Sequence, residues 1–526
     1  MSAGWNRKEA GLFLLALVWL ALTLGARPLA LPDEGRYVGV AWEMLNSGNW
    51  LYPTLNGLPF FHKPPLFYWI TAASLGTFGM HEWAARLAPL LGAAIAAFTL
   101  YGFTLRHKGA TVARWSLLIL VTQPFFFGGA QFANLDMLVA GFISATILLA
   151  AEAALNAERN LPCKGLLAGA YLCAALGVLA KGLIGAVLPG LVLVVWLAWN
   201  RRLVLMRTLA WLPGLAVFAL VAFPWFVAMQ REFPDFLNYF FVYNHFQRFA
   251  EGGFNNPMPF WFYPVAILLL ILPWSWWLPA TWKPDRLAAE TKPTIRSLMW
   301  IWPAVIVAFF SIPSSKLVGY VLPVLPPLAY LIAEGLARKW GDTSNPRALK
   351  GFALVAGMVC LSMIVANNLF NHKTNRELSS LIAAQRKSNE PVMFMWDQFF
   401  DMPVYLGLKA PVEILDDWSP ANTSRTDNWR KAMAEAGKFD PGRAGRLLID
   451  HSRLERELCK SPVSWVIAPK GTAGTDPLLK QIPPLATRQS TVVWRLTRGE
   501  VSSRGGCRQT PSDDSADKSP PPRTAG

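Results

Sequence analysis

Charge is scarce in this chain. Only 16% of its 526 residues are Asp, Glu, Lys or Arg, 53% are hydrophobic, and the mean hydropathy is +0.31. That composition excludes an ordinary soluble domain, because several apolar runs exceed the ~18 residues that read as spanning helices. Acidic residues are the scarcer sign, 33 against 49 basic, giving a net charge of +16. In a soluble chain this surplus would suggest nucleic acid. Here it gathers in short loops, as membrane orientation demands, and no nucleic-acid partner is expected. Cysteine is rarer still: five residues, scattered and without C-x-x-C spacing, which speaks against a cysteine zinc or redox site. An oxidising compartment would allow Cys459 and Cys507 to pair, although Cys507 lies in a tail rich in Ser, Pro, Asp and Gly. No internal repeat is visible.

What is abundant is apolar and aromatic. The 24 tryptophans suit two interfacial belts around a membrane protein. Hydropathy predicts about eleven spans, near 10–29, 83–105, 111–130, 135–155, 162–180, 183–199, 207–229, 259–281, 297–312, 317–337 and 350–370. The first is expected to be a retained anchor rather than a cleaved signal peptide. Pro64 to Met80 is apolar but short, as for an interfacial or re-entrant segment. Basic residues crowd one set of loops (Arg7, Lys8, Arg106, Lys108, Arg201, Arg202, Arg338, Lys339 and others). The alternate loops carry few, which predicts a cytoplasmic N-terminus. The expected architecture is a polytopic α-helical membrane domain over residues 1–370, with a first outer loop at 30–82. An extracytoplasmic α/β domain over 371–500 follows, from the strand-like runs Val392–Trp396, Val412–Leu415, Val463–Ile467 and Val492–Leu496. Residues 501–526 are expected to be a disordered tail.

With that orientation the outer face collects an unusual polar set. Asp33, Glu34, Arg36 and Tyr37 follow the first span, and His62 and Lys63 open a His-Lys-Pro-Pro turn. Asp136 begins the fourth span, and Lys181 sits between the fifth and sixth. Tyr243, His245 and Arg248 lie in YNHFQRF, with Lys316 and Tyr320 in SSKLVGY. Ionisable groups at a bilayer usually face a cavity and pair with something. Carboxylates, cations and aromatics around a cavity suit transfer of a group from a phosphate-bearing lipid: cations hold the leaving phosphate and a carboxylate orients or deprotonates the acceptor. Plainer readings stand beside this one. Asp136 is as good a helix cap as a catalyst, Arg36 and Lys63 are placed to snorkel to headgroups, and Lys316 is equally suited to hold one. Two isolated histidines are more often hydrogen-bonding groups than metal ligands. Only the common sidedness of the set raises it above these readings.

These residues carry a resemblance. DEGRY (Asp33–Tyr37), FFHKPPLFYW (Phe60–Trp69), NLDM (Asn134–Met137), AKGLIGAVLPG (Ala180–Gly190), FPWF (Phe223–Phe226), YNHFQRF (Tyr243–Phe249) and SSKLVGYVLPVLPPLA (Ser314–Ala329) occur in this order. Over roughly residues 10–340 the sequence resembles the GT-C membrane glycosyltransferases of the branch related to protein O-mannosyltransferases, above all the lipid A aminoarabinose transferases. The resemblance implies an undecaprenyl-phosphate sugar as donor and lipid A or lipopolysaccharide as acceptor, a modification tied to polymyxin resistance. It places the enzyme in a bacterial inner membrane with its active site and C-terminal domain in the periplasm. It puts Asp33 and Asp136 at the reacting centre, with Glu34 beside them. Arg36, Tyr37, Lys63, Lys181, Arg248, Lys316 and Tyr320 would handle donor phosphate or acceptor. The family often has Glu where this chain has His62, and that Glu with a histidine matching His245 can hold a metal. Zinc on His62 and His245 is therefore a possible cofactor, and none is required. The open alternatives are another sugar, a protein acceptor, or a transporter of polyprenyl-linked sugars. The last is disfavoured because charges cluster on one face and no repeat appears.

Overall fold

The computed structural model describes residues 7–247, 256–281, 293–340, 347–370, 373–423, 428–472, 475–504 and 507. Every stretch expected to span is helical over most of its length. The chain begins with α1 (Arg7–Ala21), then α2 (Asp33–Ser47), a two-stranded hairpin of β1 (Thr54–Leu55) and β2 (Leu58–Pro59), and α3 (Leu66–Phe78). The bundle continues with α4 (Leu87–Thr122), α5 (Leu135–Glu158), α6 (Lys164–Lys181), α7 (Ile184–Trp199) and α8 (Leu212–Glu232). A π-helical segment (Asn238–Gln247) leads towards α9 (Phe262–Leu270), α10 (Pro293–Ser311), α11 (Leu325–Trp340) and α12 (Arg347–Phe370). Among the described residues six helices are long and apolar enough to cross a membrane, or seven if one bent pair counts as a span.

Two expected spans are joined and one is broken. The segments at 83–105 and 111–130 meet at Gly109, whose φ of +81° lets the chain turn there without a loop. The stretch at 259–281 is not one helix: α9 and the 3₁₀ helix Trp274–Thr281 meet at 115°. Pro273 stands at that break and has no N–H to continue the ladder. Helix α5 is the axis of the bundle, buried along nearly all of its most apolar window, whereas α8 and α12 lie at the periphery. The N-terminus of α5, the C-terminus of α6 and the segment before α11 gather at one end, beneath α2.

Helix α2 is amphipathic. It carries two acids in its first turn, where the helix dipole favours them, and it stops at Gly48 in the left-handed conformation. Val38, Ala41 and Met44 are buried. Glu43 ties the hairpin to it, accepting from Thr54 Oγ1 at 2.8 Å and from the amides of Asn56 and Gly57 at 2.6 and 2.9 Å.

The C-terminal region forms a six-stranded sheet of order β5-β4-β3-β6-β8-β7, with α13 (Trp429–Gly437) between β4 and β5. Strands β3 (Val392–Met395), β4 (Glu413–Leu415), β5 (Leu448–Ile449) and β6 (Val463–Pro469) are parallel. Strand β8 (Thr491–Thr497) joins β6 antiparallel, and the edge strand β7 (Ala486–Arg488) pairs antiparallel with β8. The four strand-like runs are β3, β4, β6 and β8. The tail does not begin at 501: α14 (Arg498–Ser503) runs through it behind a Thr497–Glu500 capping box. Cys507 is joined to Cys459 by a disulfide. The rest of the expected tail lies outside the described residues.

This domain sits on the loop that carries α2. Trp42 donates to the Leu408 carbonyl at 2.8 Å, and Asn56 exchanges two 2.8 Å bonds with the backbone of Val412. A Cβ on Gly35 would stand 3.0 Å from the Asp401 amide nitrogen and 3.2 Å from Phe400 Cβ, so glycine allows this contact.

Candidate active site

Under α2, at the end of the bundle, lie two clusters of charge. In the first, Asp136 projects from the first turn of α5. It does not cap that helix. Asn134 does so, accepting from the Asp136 amide at 3.0 Å while its own Nδ2 donates to Asp136 Oδ2 at 3.2 Å. The carboxylate of Asp136 is left to face Lys181 at the end of α6, and the two form an ion pair with side chains 13% and 10% exposed. The Lys181 ammonium also lies 4.4 Å from the centre of the Tyr320 ring. Tyr320 belongs to a 3₁₀ helix, Val318–Val324, that passes against Asp136. A Cβ on Gly319 would collide with the Asp136 carboxylate, so only glycine permits the approach.

Asp33 and Arg36 extend this cluster from α2. They pair at 2.6 Å, and the carboxylate of Asp33 keeps 45% of its side-chain surface exposed. The Arg36 guanidinium lies over Tyr37 at 5.0 Å. Tyr37 is near enough to feel both carboxylates. Burial pushes its hydroxyl above the ordinary tyrosine pKa; Arg36 opposes this, Asp33 and Asp136 add to it, and Lys181 opposes it again. Asp33, Arg36, Tyr37, Asp136, Lys181 and Tyr320 are thus brought into one neighbourhood.

The second cluster corrects the reading of Glu34. Its side chain is fully buried, and both oxygens are occupied. Arg27 makes two bonds to it, and Arg86 makes two more at 2.8 and 3.0 Å. The amides of Ala30 and Ala133 each donate to it at 2.8 Å. Burial alone would raise this carboxyl, but Arg86 and Arg27 override it and hold the pKa at about 2. With every lone pair taken, Glu34 cannot exchange protons with a substrate. It anchors the start of α2 to the bundle. Its partners Arg27 and Arg86 are not among the candidate site residues of the sequence.

Lys316 also differs from expectation. It is buried, and its ammonium donates to the carbonyls of Pro313 at 2.5 Å, Met258 at 2.9 Å and Ser314 at 3.5 Å. It pins the turn before Val318 to the strand-like Asn256–Met258 stretch instead of presenting a free cation. Lys63 and His62 lie in the turn before α3. The His62 ring stacks on Phe60 at 4.5 Å, beside Tyr239 and the α13 residues Ala432 and Ala436. The side chain of His245 and all of Arg248 lie outside the described residues. Among the described residues, no group of three His, Cys, Asp or Glu is placed to hold a metal.

A family profile described as dolichyl-phosphate-mannose-protein mannosyltransferase matches residues 12–240. An undecaprenyl phosphate-alpha-4-amino-4-deoxy-L-arabinose arabinosyl transferase of Erwinia tasmaniensis is 33% identical over 65% of this chain and 61% of its own length. The chain therefore spans less than two thirds of that relative. A second protein of the same name, from Pseudomonas fluorescens, is 31% identical over 71% of this chain and 67% of its own. In three dimensions the chain resembles ArnT from Cupriavidus metallidurans bound to undecaprenyl phosphate, with a TM-score of 0.77 at 24% identity. That match covers 93% of this chain and 98% of the other. The likeness carries the fold, membrane helices and C-terminal sheet together.

Proposed function

Since this chain belongs to the family of the undecaprenyl phosphate-alpha-4-amino-4-deoxy-L-arabinose arabinosyl transferases, we propose that it transfers aminoarabinose from undecaprenyl phosphate to lipid A. The reaction takes place on the periplasmic face of a bacterial inner membrane, with the N-terminus in the cytoplasm. The Cys459–Cys507 disulfide supports that sidedness, because such bonds persist in oxidising compartments. The observation that carries the chemistry is the half-open cluster of two ion pairs, Asp33–Arg36 and Asp136–Lys181, with Tyr320 against the Lys181 ammonium.

In this reading a phosphate oxygen of lipid A attacks the anomeric carbon from the side opposite the carrier. The bond from that carbon to the carrier phosphate breaks, its electrons leave with undecaprenyl phosphate, and the configuration inverts. The attacking phosphate is already anionic at neutral pH, so no general base is required. Asp33 and Asp136 then serve the sugar: two carboxylates beside a cationic amine hold it by charge and orient the ring. Arg36, partly exposed beside Asp33, meets the charge that grows on the departing phosphate, with Lys63 of the turn before α3 as the second cation for it. Asp136 keeps Lys181 fixed and largely desolvated, so its charge needs little rearrangement during the reaction. The side chain of His245, the partner that a metal on His62 would need, lies outside the described residues, and the steps above use this chain's own side chains.

Mass spectrometry of lipid A from cells with and without this protein tests the reading. An aminopentose increment should appear with the protein and fall about tenfold with Asp33→Asn. Unchanged lipid A in a host that makes the donor would overturn it.

A further inference from the structure

The helices line a slot that the proposed reaction leaves unused, running from Ala186, five residues beyond Lys181, away from the reacting cluster to Met206. It lies between α5, α6, α7 and α8, has a volume of about 400 Å³, and is lined by residues such as Ala170, Tyr171, Ala174, Gly190, Leu193 and Phe218. Ala150, which also lines it, is fourteen residues along α5 from Asp136 (136 to 150). At the helical rise that is about 21 Å. Its few polar atoms are already satisfied: the Tyr171 hydroxyl donates to the Leu209 carbonyl at 2.6 Å and Thr146 Oγ1 to that of Phe142 at 2.8 Å. Nothing in the lining would hold water, so hydrocarbon is the matching occupant.

The mouth of the slot has the opposite character. Lys164 opens α6 on the same face as Leu167, Tyr171 and Ala174, at spacings of 3, 7 and 10 residues. Arg207 lies between Met206 and Leu209, both of which line the slot. Both cations are exposed, and neither forms an ion pair among the described residues, whereas nearby Arg202 is held by Glu158 at 2.6 Å. Two unpaired cations at the entrance of an apolar slot complement a lipid with an anionic headgroup. We propose that this slot binds an anionic phospholipid of the leaflet opposite the active site, an acyl chain lying in the slot and the phosphate meeting Lys164 and Arg207.

The test uses the full-length protein in phosphatidylcholine vesicles containing a phosphatidylglycerol whose acyl chain carries a photoactivatable diazirine. Crosslinks should map to the lining stretches of α6, α7 and α8. Unlabelled phosphatidylglycerol should compete better than phosphatidylcholine. A Cβ at Gly190, a lining residue, meets nothing within 4 Å, so Gly190→Leu adds bulk at the slot and should remove most of the labelling at an unchanged melting temperature. Lys164→Gln and Arg207→Gln should each cut the preference for phosphatidylglycerol about fivefold. Undiminished labelling of Gly190→Leu would overturn the proposal, as would equal competition by the two phospholipids. Stronger competition by undecaprenyl phosphate would also overturn it and assign the slot to the tail of the sugar carrier.

Discussion

The carboxylate of Glu34 is fully buried between Arg27 and Arg86, while Asp33, one residue earlier on the same helix, keeps nearly half of its side-chain surface exposed beside Arg36. The two acids differ in what surrounds them. Two guanidiniums and two backbone amides saturate Glu34, which fixes α2 to the bundle. Asp33 and Asp136 each face a single cation and retain capacity for a guest. At the far end of the bundle Glu152 is likewise held by two partners, Arg106 and His107, whereas Glu334 pairs with Lys108 at 2.7 Å through one oxygen only.

Glu34→Gln should break the contrast most severely. It leaves two buried guanidiniums without a counter-charge, a loss of about 3–5 kcal/mol, visible as a collapse in purified yield and melting temperature. The same site predicts acid sensitivity. Its folded pKa of about 2 lies below the ordinary value of 4.5. Its stabilisation, on the order of 3 kcal/mol, is therefore complete above that ordinary value, declines as pH falls below it, and is gone once pH passes the folded value. A melting temperature that stays flat from neutral pH to pH 3 would contradict this.

Asp136→Asn should do the reverse, leaving a folded protein whose transfer rate falls about 100-fold, or roughly 3 kcal/mol of barrier. Equal losses of rate and of melting temperature would make Asp136 another anchor. Gly319→Ala sharpens the comparison without touching a charge. Its methyl must displace the Asp136 carboxylate, so transfer should drop about 10- to 100-fold through misplacement, with donor binding nearly retained in a binding assay. The smallest effect is expected at exposed Asp33. Asp33→Asn should lower transfer about tenfold, and near-full activity would remove any charge-dependent role for it.

Much of this was legible in the residues. Long apolar runs reported the helices because every backbone group in lipid must be satisfied within its segment. Four strands of the sheet were visible as β-rich runs, whereas β5 and β7, two and three residues long, are set by pairing and leave no local pattern. Site and anchor were not separable. Asp33 and Glu34 look alike in DEGRY, and only the burial supplied by Arg27 and Arg86, the latter 52 residues away, tells them apart. Asp136 was weighed as a cap because the competing cap, Asn134, lies two residues earlier and either side chain fits the pattern. Lys316 was read as a headgroup ligand, since its carbonyl partner Met258 is distant in the chain.

The bonds between α2, its hairpin and the C-terminal domain join residues 356 to 376 positions apart: Asn56 to Val412, Trp42 to Leu408, and Leu29 to Tyr405. In the proposed orientation the loop that carries Asp33 is delivered across the membrane early in synthesis, yet the surfaces that receive it are made hundreds of residues later. Its polar groups must wait in water until the last part of the chain has been exported and folded. Biogenesis thus closes the catalytic end last, and a ribosome-stalled or truncated chain would hold an inserted bundle with its reacting loop still unmade.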